Sequence, residues 1–126
     1  MPRTNLTVQA TAPILNGAPA ANALDITMTA ADTVNFNSFS MTGNEILIAQ
    51  NTHASTAYTI TVNTVADKHG RVGDLSAYQL EAGDIAAYGP IPLEGFVQTD
   101  GKLNFQANNA AIKFGVLQVR GTLLYK

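Results

Sequence analysis

His53 and His69 are the only imidazoles in a chain that has no cysteine, so general acid-base, nucleophilic or metal chemistry would have to run through them. Each lies in a stretch of turn composition, Asn51-Thr52-His53-Ala54-Ser55 and Asp67-Lys68-His69-Gly70-Arg71. A metal site needs two or three converging His or carboxylate ligands, and this spacing predicts solvated loop histidines instead. Asp67 and His69 could join a distant serine in a hydrolase triad, but no Gly-x-Ser-x-Gly elbow is present. The carboxylates Asp67, Asp74, Glu81 and Asp84 fall in one stretch without the spacing of a calcium loop. A glycosidase pair could be drawn from the same four, yet Glu81 and Asp84 flank a tight turn, where acids commonly serve solubility and turn geometry. Lys68, His69 and Arg71 form the one basic cluster, offset by Asp67 and Asp74, which fits a solvated loop or a contact loop on a partner protein. Nine aromatics without a tryptophan make a poor sugar platform, and Phe36, Phe39, Tyr58, Phe105 and Phe114 fall inside strand patterns as core candidates. No catalytic, cofactor-binding or metal-binding residue is expected, and an enzyme is not the reading.

Composition narrows the classes further. The 126 residues are 46% hydrophobic and 13% charged, with a net charge of -2. That is one domain's length, and the charge content lies well below the roughly 25% usual for soluble domains. No basic excess exists to neutralise a row of phosphates, so nucleic acid is not an expected partner. Without cysteine there is no disulfide framework to fix a redox compartment. The start, Met-Pro-Arg-Thr-Asn-Leu-Thr-Val, lacks the apolar core of a secretory signal, and no run is long enough to span a bilayer. Synthesis in a cytoplasm is the expectation, with no membrane partner.

The elements that would position these groups divide the chain in two. Residues 1–23 are poor in large apolar side chains and carry Pro13, Gly17 and Pro19, a composition suited to an extended arm. Within it Leu6 and Val8 alternate with Thr7 and Gln9, and Ile14-Leu15 makes a second apolar knot. An edge strand followed by a loop of the same domain fits equally well. Residues 24–126 read as the body, with a period of two. Leu24, Ile26 and Met28 alternate with polar residues, as do Val34 and Phe36, then Tyr58, Ile60 and Val62. Glu45-Ile46-Leu47-Ile48-Ala49-Gln50-Asn51 has the apolar run of a strand buried on both faces. Further strands are predicted at 76–80, 84–88, 95–99, 102–106, 112–119 and 122–125. Gly, Asn and Asp punctuate the segments at 67–70, 81–84, 100–101 and 108–109. No stretch keeps an apolar stripe at helical spacing. The fold class is therefore all-β, a single β-sandwich or jelly-roll-like barrel of about eight or more mostly antiparallel strands with an extended N-terminal arm.

Residues 45–119 carry a resemblance. Ile46-Leu47-Ile48-Ala49-Gln50-Asn51 runs through the turn His53-Ala54-Ser55-Thr56-Ala57 into Tyr58-Thr59-Ile60-Thr61-Val62-Asn63-Thr64. Tyr78-Gln79-Leu80-Glu81-Ala82-Gly83-Asp84-Ile85 then leads to Tyr88-Gly89-Pro90-Ile91-Pro92, and Gly101-Lys102-Leu103-Asn104-Phe105 is followed by Ile112-Lys113-Phe114-Gly115-Val116-Leu117-Gln118-Val119. This order of strands and turns resembles the capsid decoration, or cement, proteins of tailed bacteriophages. The resemblance implies a virion structural protein on the outer capsid surface, bridging capsomers, with the major capsid protein as partner and a homotrimer as assembly. A tail or head-tail junction protein of the phage is the alternative, and a β-sandwich module binding glycans or a host surface through Tyr78 or Tyr88 is another. Contacts would come from Leu6, Val8, Ile14 and Leu15 in the arm, which at about 3.3 Å per residue is long enough to cross a subunit boundary. Leu123, Leu124 and Tyr125 would supply others, unless they close the core as a last strand. Pro90 and Pro92 are expected to end a strand and guard an exposed edge.

Overall fold

Alternation of inward and outward side chains builds nearly every element of the protein. The computed structural model describes residues 2–10, 21 and 25–118, and among them there are ten strands and no helix. In chain order these are β1 (Thr4–Asn5), β2 (Val8–Ala10), β3 (Thr29–Ala30), β4 (Asn37–Ser40), β5 (Glu45–Asn51), β6 (Tyr58–Val62), β7 (Leu75–Leu80), β8 (Ile85–Ile91), β9 (Lys102–Ala107) and β10 (Ile112–Gln118). They form two mixed sheets, and the architecture is sandwich-like. The first sheet has the order β1-β4-β9-β6-β7; the second has β2-β10-β5-β8, with β3 also pairing β10. Two ladders are parallel, β1 with β4 and β2 with β10, and the other pairings are antiparallel.

The inner faces supply the core. Phe39, Ile60, Val62, Leu103 and Phe105 come from the first sheet and Leu47, Ala49, Ile112, Phe114 and Val116 from the second, all buried in one cluster. Phe105 links them, with its ring 4.7 Å from Phe114 across the sheets and 5.7 Å from Phe39 within its own. Edge-to-face rings at such separations add to the burial itself. Asn51 ties the sheets at one end. Its buried amide donates to the Thr56 and Leu80 carbonyls, both at 2.9 Å, and its oxygen accepts from the His53 N–H.

Several expected elements differ. The alternation of Val34 and Phe36 predicts inward strand residues, but Val34 is 77% exposed and the strand starts at Asn37. Asp32 is the cause: its Oδ1 accepts from the Val34 and Asn35 N–H groups and folds 32–35 into a turn, with Phe36 leaving it at φ 64°. Residues 95–99 form turns rather than a strand, because the Leu93 carbonyl accepts from both Phe96 and Val97 N–H. Residues 26–28 carry no strand assignment. β5 is buried on one face only; Ile46, Ile48 and Gln50 are half-buried on the other. β8 continues through Pro90 to Ile91 instead of ending before the prolines. As a terminal strand it needs no ladder donor there. The predicted strand at 122–125 lies outside the described residues.

The first ten residues are tied into both sheets as far as they are described. Thr4 and Leu6 N–H donate to the Phe36 and Ser38 carbonyls, at 2.9 and 2.8 Å. Arg3 reaches the carbonyls of Asn37 and Phe105 and lies over the Phe36 ring, 5.4 Å from its centroid.

Candidate interaction surface

The groups suited to chemistry are spent on turns. His53 Nδ1 accepts from the N–H groups of Ser55 and Thr56, at 3.1 and 3.0 Å, so the ring caps the turn between β5 and β6. Tyr58 packs edge-on against the same ring. Asp67 accepts from the His69 and Arg71 N–H groups and the Arg71 guanidinium, whose nearest nitrogens sit 2.8 Å away. The Arg71 N–H above all holds the Asp67 carboxyl below its ordinary value, against a smaller desolvation effect. Asp74 is lowered by the Thr64 N–H and hydroxyl, which it accepts at 2.7 and 2.8 Å. Among the described residues no three His or acidic side chains converge as metal ligands would. Asp67 and His69 meet as neighbours in one turn, and Lys68 and His69 point outward from it.

Two acids serve as hubs that the sequence did not single out. Asp32 is held at about 2, first by the hydroxyl of Thr4 and then by the Asn35 and Val34 N–H groups. It thereby joins β1 to the turn before β4. Glu45 is fully buried. Burial alone would raise its carboxyl, but the Thr42 hydroxyl and the Thr42 and Gly43 N–H groups outweigh it and set the value below the ordinary one. The Gln118 amide donates to Glu45 as well, at 3.2 Å. A buried charge without a cation is tolerable only when donors surround it, as here.

The outer faces of the two sheets differ sharply. On the first, the opposed pairs are Ser38 with Asn104, Ser40 with Lys102, Thr61 with Gln106 and Thr59 with Gln79. On the second they are Ile46 with Leu117, Ile48 with Gly115 and with Ala87, and Gln50 with Lys113 and with Ile85. Residues 26–28 cross this second face: a Cβ on Gly115 would stand 2.6 Å from Met28 Sδ and 3.4 Å from Ile26 Cγ2. Glycine at 115 leaves that space open. The Gln9 amide clamps the crossing segment, donating to the Thr27 carbonyl at 2.8 Å and accepting from its N–H at 2.7 Å. Among the described residues the remaining outward apolar positions run from the half-buried Leu117, Ile46 and Ile48 to the exposed Ala87 and Ile85, of which Ile85 is 65% exposed. Such an apolar sheet face outside a core suits contact with another surface.

Of the predicted contact residues, Leu6 is buried in the protein's own core and Val8 packs against it, paired with Val116. Ile14, Leu15, Leu123, Leu124 and Tyr125 lie outside the described residues. The parallel pairing of Ala10 with Gln118 sets the last described residues before both segments side by side. Tyr78 is 47% exposed, whereas Tyr88 packs against Phe96. The stripe itself was legible as the run Ile46-Leu47-Ile48, whose even positions a water-facing strand would make polar. No protein-family model, curated protein or solved structure matches the chain.

Proposed function

We propose that this protein is a non-enzymatic virion structural protein that decorates the outer surface of a phage capsid and stabilises the shell by bridging capsomers. The observation that carries the reading is the largely apolar outer face of the second sheet, set opposite a polar outer face on the first. One side is made to be covered and the other to meet water. Burying apolar surface contributes about 25 cal/mol per Å², so a stripe of Ile, Leu and Ala side chains is the anchor for a capsid protein's surface. Acids and histidines engaged in turns fit a body that acts by shape. The phage setting rests on the resemblance carried by the sequence of residues 45–119, and the major capsid protein is the partner that resemblance implies.

The test mixes the purified protein with expanded, undecorated capsids and measures bound copies after sedimentation. Stoichiometric binding is expected, lost in the folded variant Ile48→Lys. Absence of binding by the unaltered protein overturns the proposal. The exposed ring of Tyr78 favours one second reading, a glycan or host-surface module. Glycan-array binding abolished by Tyr78→Ala would establish it in place of decoration.

A further inference from the structure

β8 ends the second sheet, and no strand among the described residues pairs with its far side. Its backbone polarity follows from antiparallel alternation. The Asn51 N–H donates to the Asp84 carbonyl, so Asp84 faces β5, as do Ala86 and Tyr88, while the N–H and C=O groups of Ile85 and Ala87 point away. Open edges are normally guarded by charge, proline or a bulge. β7, which ends the first sheet, has such a guard: its register shifts opposite Ile60 and Val62, and Ala77 sits there at φ 49°. β8 between Ile85 and Tyr88 has none. It carries no ionised side chain, its register against β5 is unbroken over those residues, and the proline comes only at 90.

We propose that β8 pairs antiparallel with β8 of a second copy of this chain, across a two-fold axis at Ala86. That register sets Ile85 opposite Ala87 of the second copy and Ala87 opposite its Ile85, with Ala86 facing itself. The outward backbone groups of Ile85 and Ala87 then meet in reciprocal hydrogen bonds. The side chains match as well, because a large residue meets a small one twice on the outer face and no like charges meet. A one-residue slip would place the outer-face Ile85 against an inner-face position, so the spacing specifies its own register. Gly89 and Pro90 fall beyond the paired stretch at both ends. The strand is thus complementary to itself, which is the requirement for an isologous contact. A two-fold pairing builds a dimer or joins two larger clusters; it does not close a trimer. It goes beyond the capsid reading and stands or falls apart from it.

Hydrogen exchange and sedimentation of the full chain at about 0.1 mM test the pairing. The Ile85 and Ala87 amides should exchange at least about tenfold more slowly than in dilute protein, with a particle mass that is an even multiple of the chain. Ala87→Pro removes only an outward donor and keeps the bonds to β5, so it should leave the β-sheet circular dichroism intact and abolish both effects; Ile85→Lys should do the same. Rapid exchange at 85 and 87 at every concentration overturns the proposal. So does a monomer throughout, a trimer with these amides unprotected, or an oligomer that survives both substitutions. Should the variants fail to fold, the exchange measurement on the unaltered protein still decides.

Discussion

The two sheets share one inner chemistry and have opposite outer ones. Phe39, Val62, Leu103 and Phe105 of the first meet Leu47, Phe114 and Val116 of the second in a single core. Outside, the first sheet shows Ser40, Lys102, Thr61 and Gln106, and the second shows Ile46, Ile48, Ala87 and Leu117 with Gln50 and Lys113. The low charge content of the chain therefore has two sources. One face meets water mostly through hydroxyls and amides, which hydrate without ionising, with Lys102 as its cation. The other carries Ile46, Ile48, Ala87 and Leu117 beside Gln50 and Lys113, and Met28 and Ile26 lie against it at Gly115. Strands of period two make the sandwich, while the identity of the outward residues decides which side is left for a partner.

The sharpest break in what the sheets share is Phe105→Ala, since that ring touches aromatic neighbours on both sides of the core. A loss of about 4 kcal/mol is expected in urea unfolding, with both sheets melting together. Separate transitions would show that the sheets are not one cooperative unit.

Glu45 distinguishes the second sheet by burying a charge in it. Glu45→Ala leaves the Thr42 and Gly43 donors without their acceptor and should remove about 3 kcal/mol. Its acid behaviour has a fixed sign. The folded value lies below the ordinary 4.5, so the stabilisation is complete above that pH and fades as the pH falls, because the unfolded chain binds the proton first. Asp32 acts alike between its ordinary 3.8 and about 2. Melting temperature should thus decline on acidification through this range, and Glu45→Ala should flatten the decline. An equal slope in the variant would assign the acid sensitivity elsewhere.

Much of this was legible in the chain and some was not, for local reasons. Tyr58, Ile60 and Val62 announce β6 because their alternation is unbroken and a turn flanks it. Val34 and Phe36 alternate equally well, yet the Asp32 carboxylate captures the N–H groups of Val34 and Asn35, and the Asp32 carbonyl captures that of Phe36. Hydrophobic period is blind to a competing side-chain acceptor. The run Ile46-Leu47-Ile48 signals burial on two faces, and an isolated chain can show only one core. The parallel pairing of Val8 with Val116 joins residues far apart in sequence, which no local pattern reveals.

A paired substitution probes the outer faces directly. Ile48→Lys should lower stability by about 1.5 kcal/mol, since it exposes apolar neighbours and strands a charge among them. Gln106→Lys, at an outward position on the first sheet, should stay within about 0.5 kcal/mol of the original. Equal effects, measured as shifts in urea midpoint, would erase the distinction between the faces.

The smallest expected effect separates the two open edges. Ala77 holds a left-handed backbone in the β7 bulge, with its N–H donated to Thr61 Oγ1 at 3.1 Å. For a residue with a Cβ that geometry costs about 1 kcal/mol, which glycine does not incur. Glycine also gives the unfolded chain more freedom, which offsets about 0.5 kcal/mol of the gain. Ala77→Gly should accordingly raise stability by about 0.5 kcal/mol in denaturant titration. A loss of stability would mean that the Ala77 methyl makes contacts worth more than the strain. At β8 no residue between Ile85 and Tyr88 has positive φ, so Ala87→Gly should lower stability, and the opposite signs would mark β7 as the bent edge and β8 as the straight one.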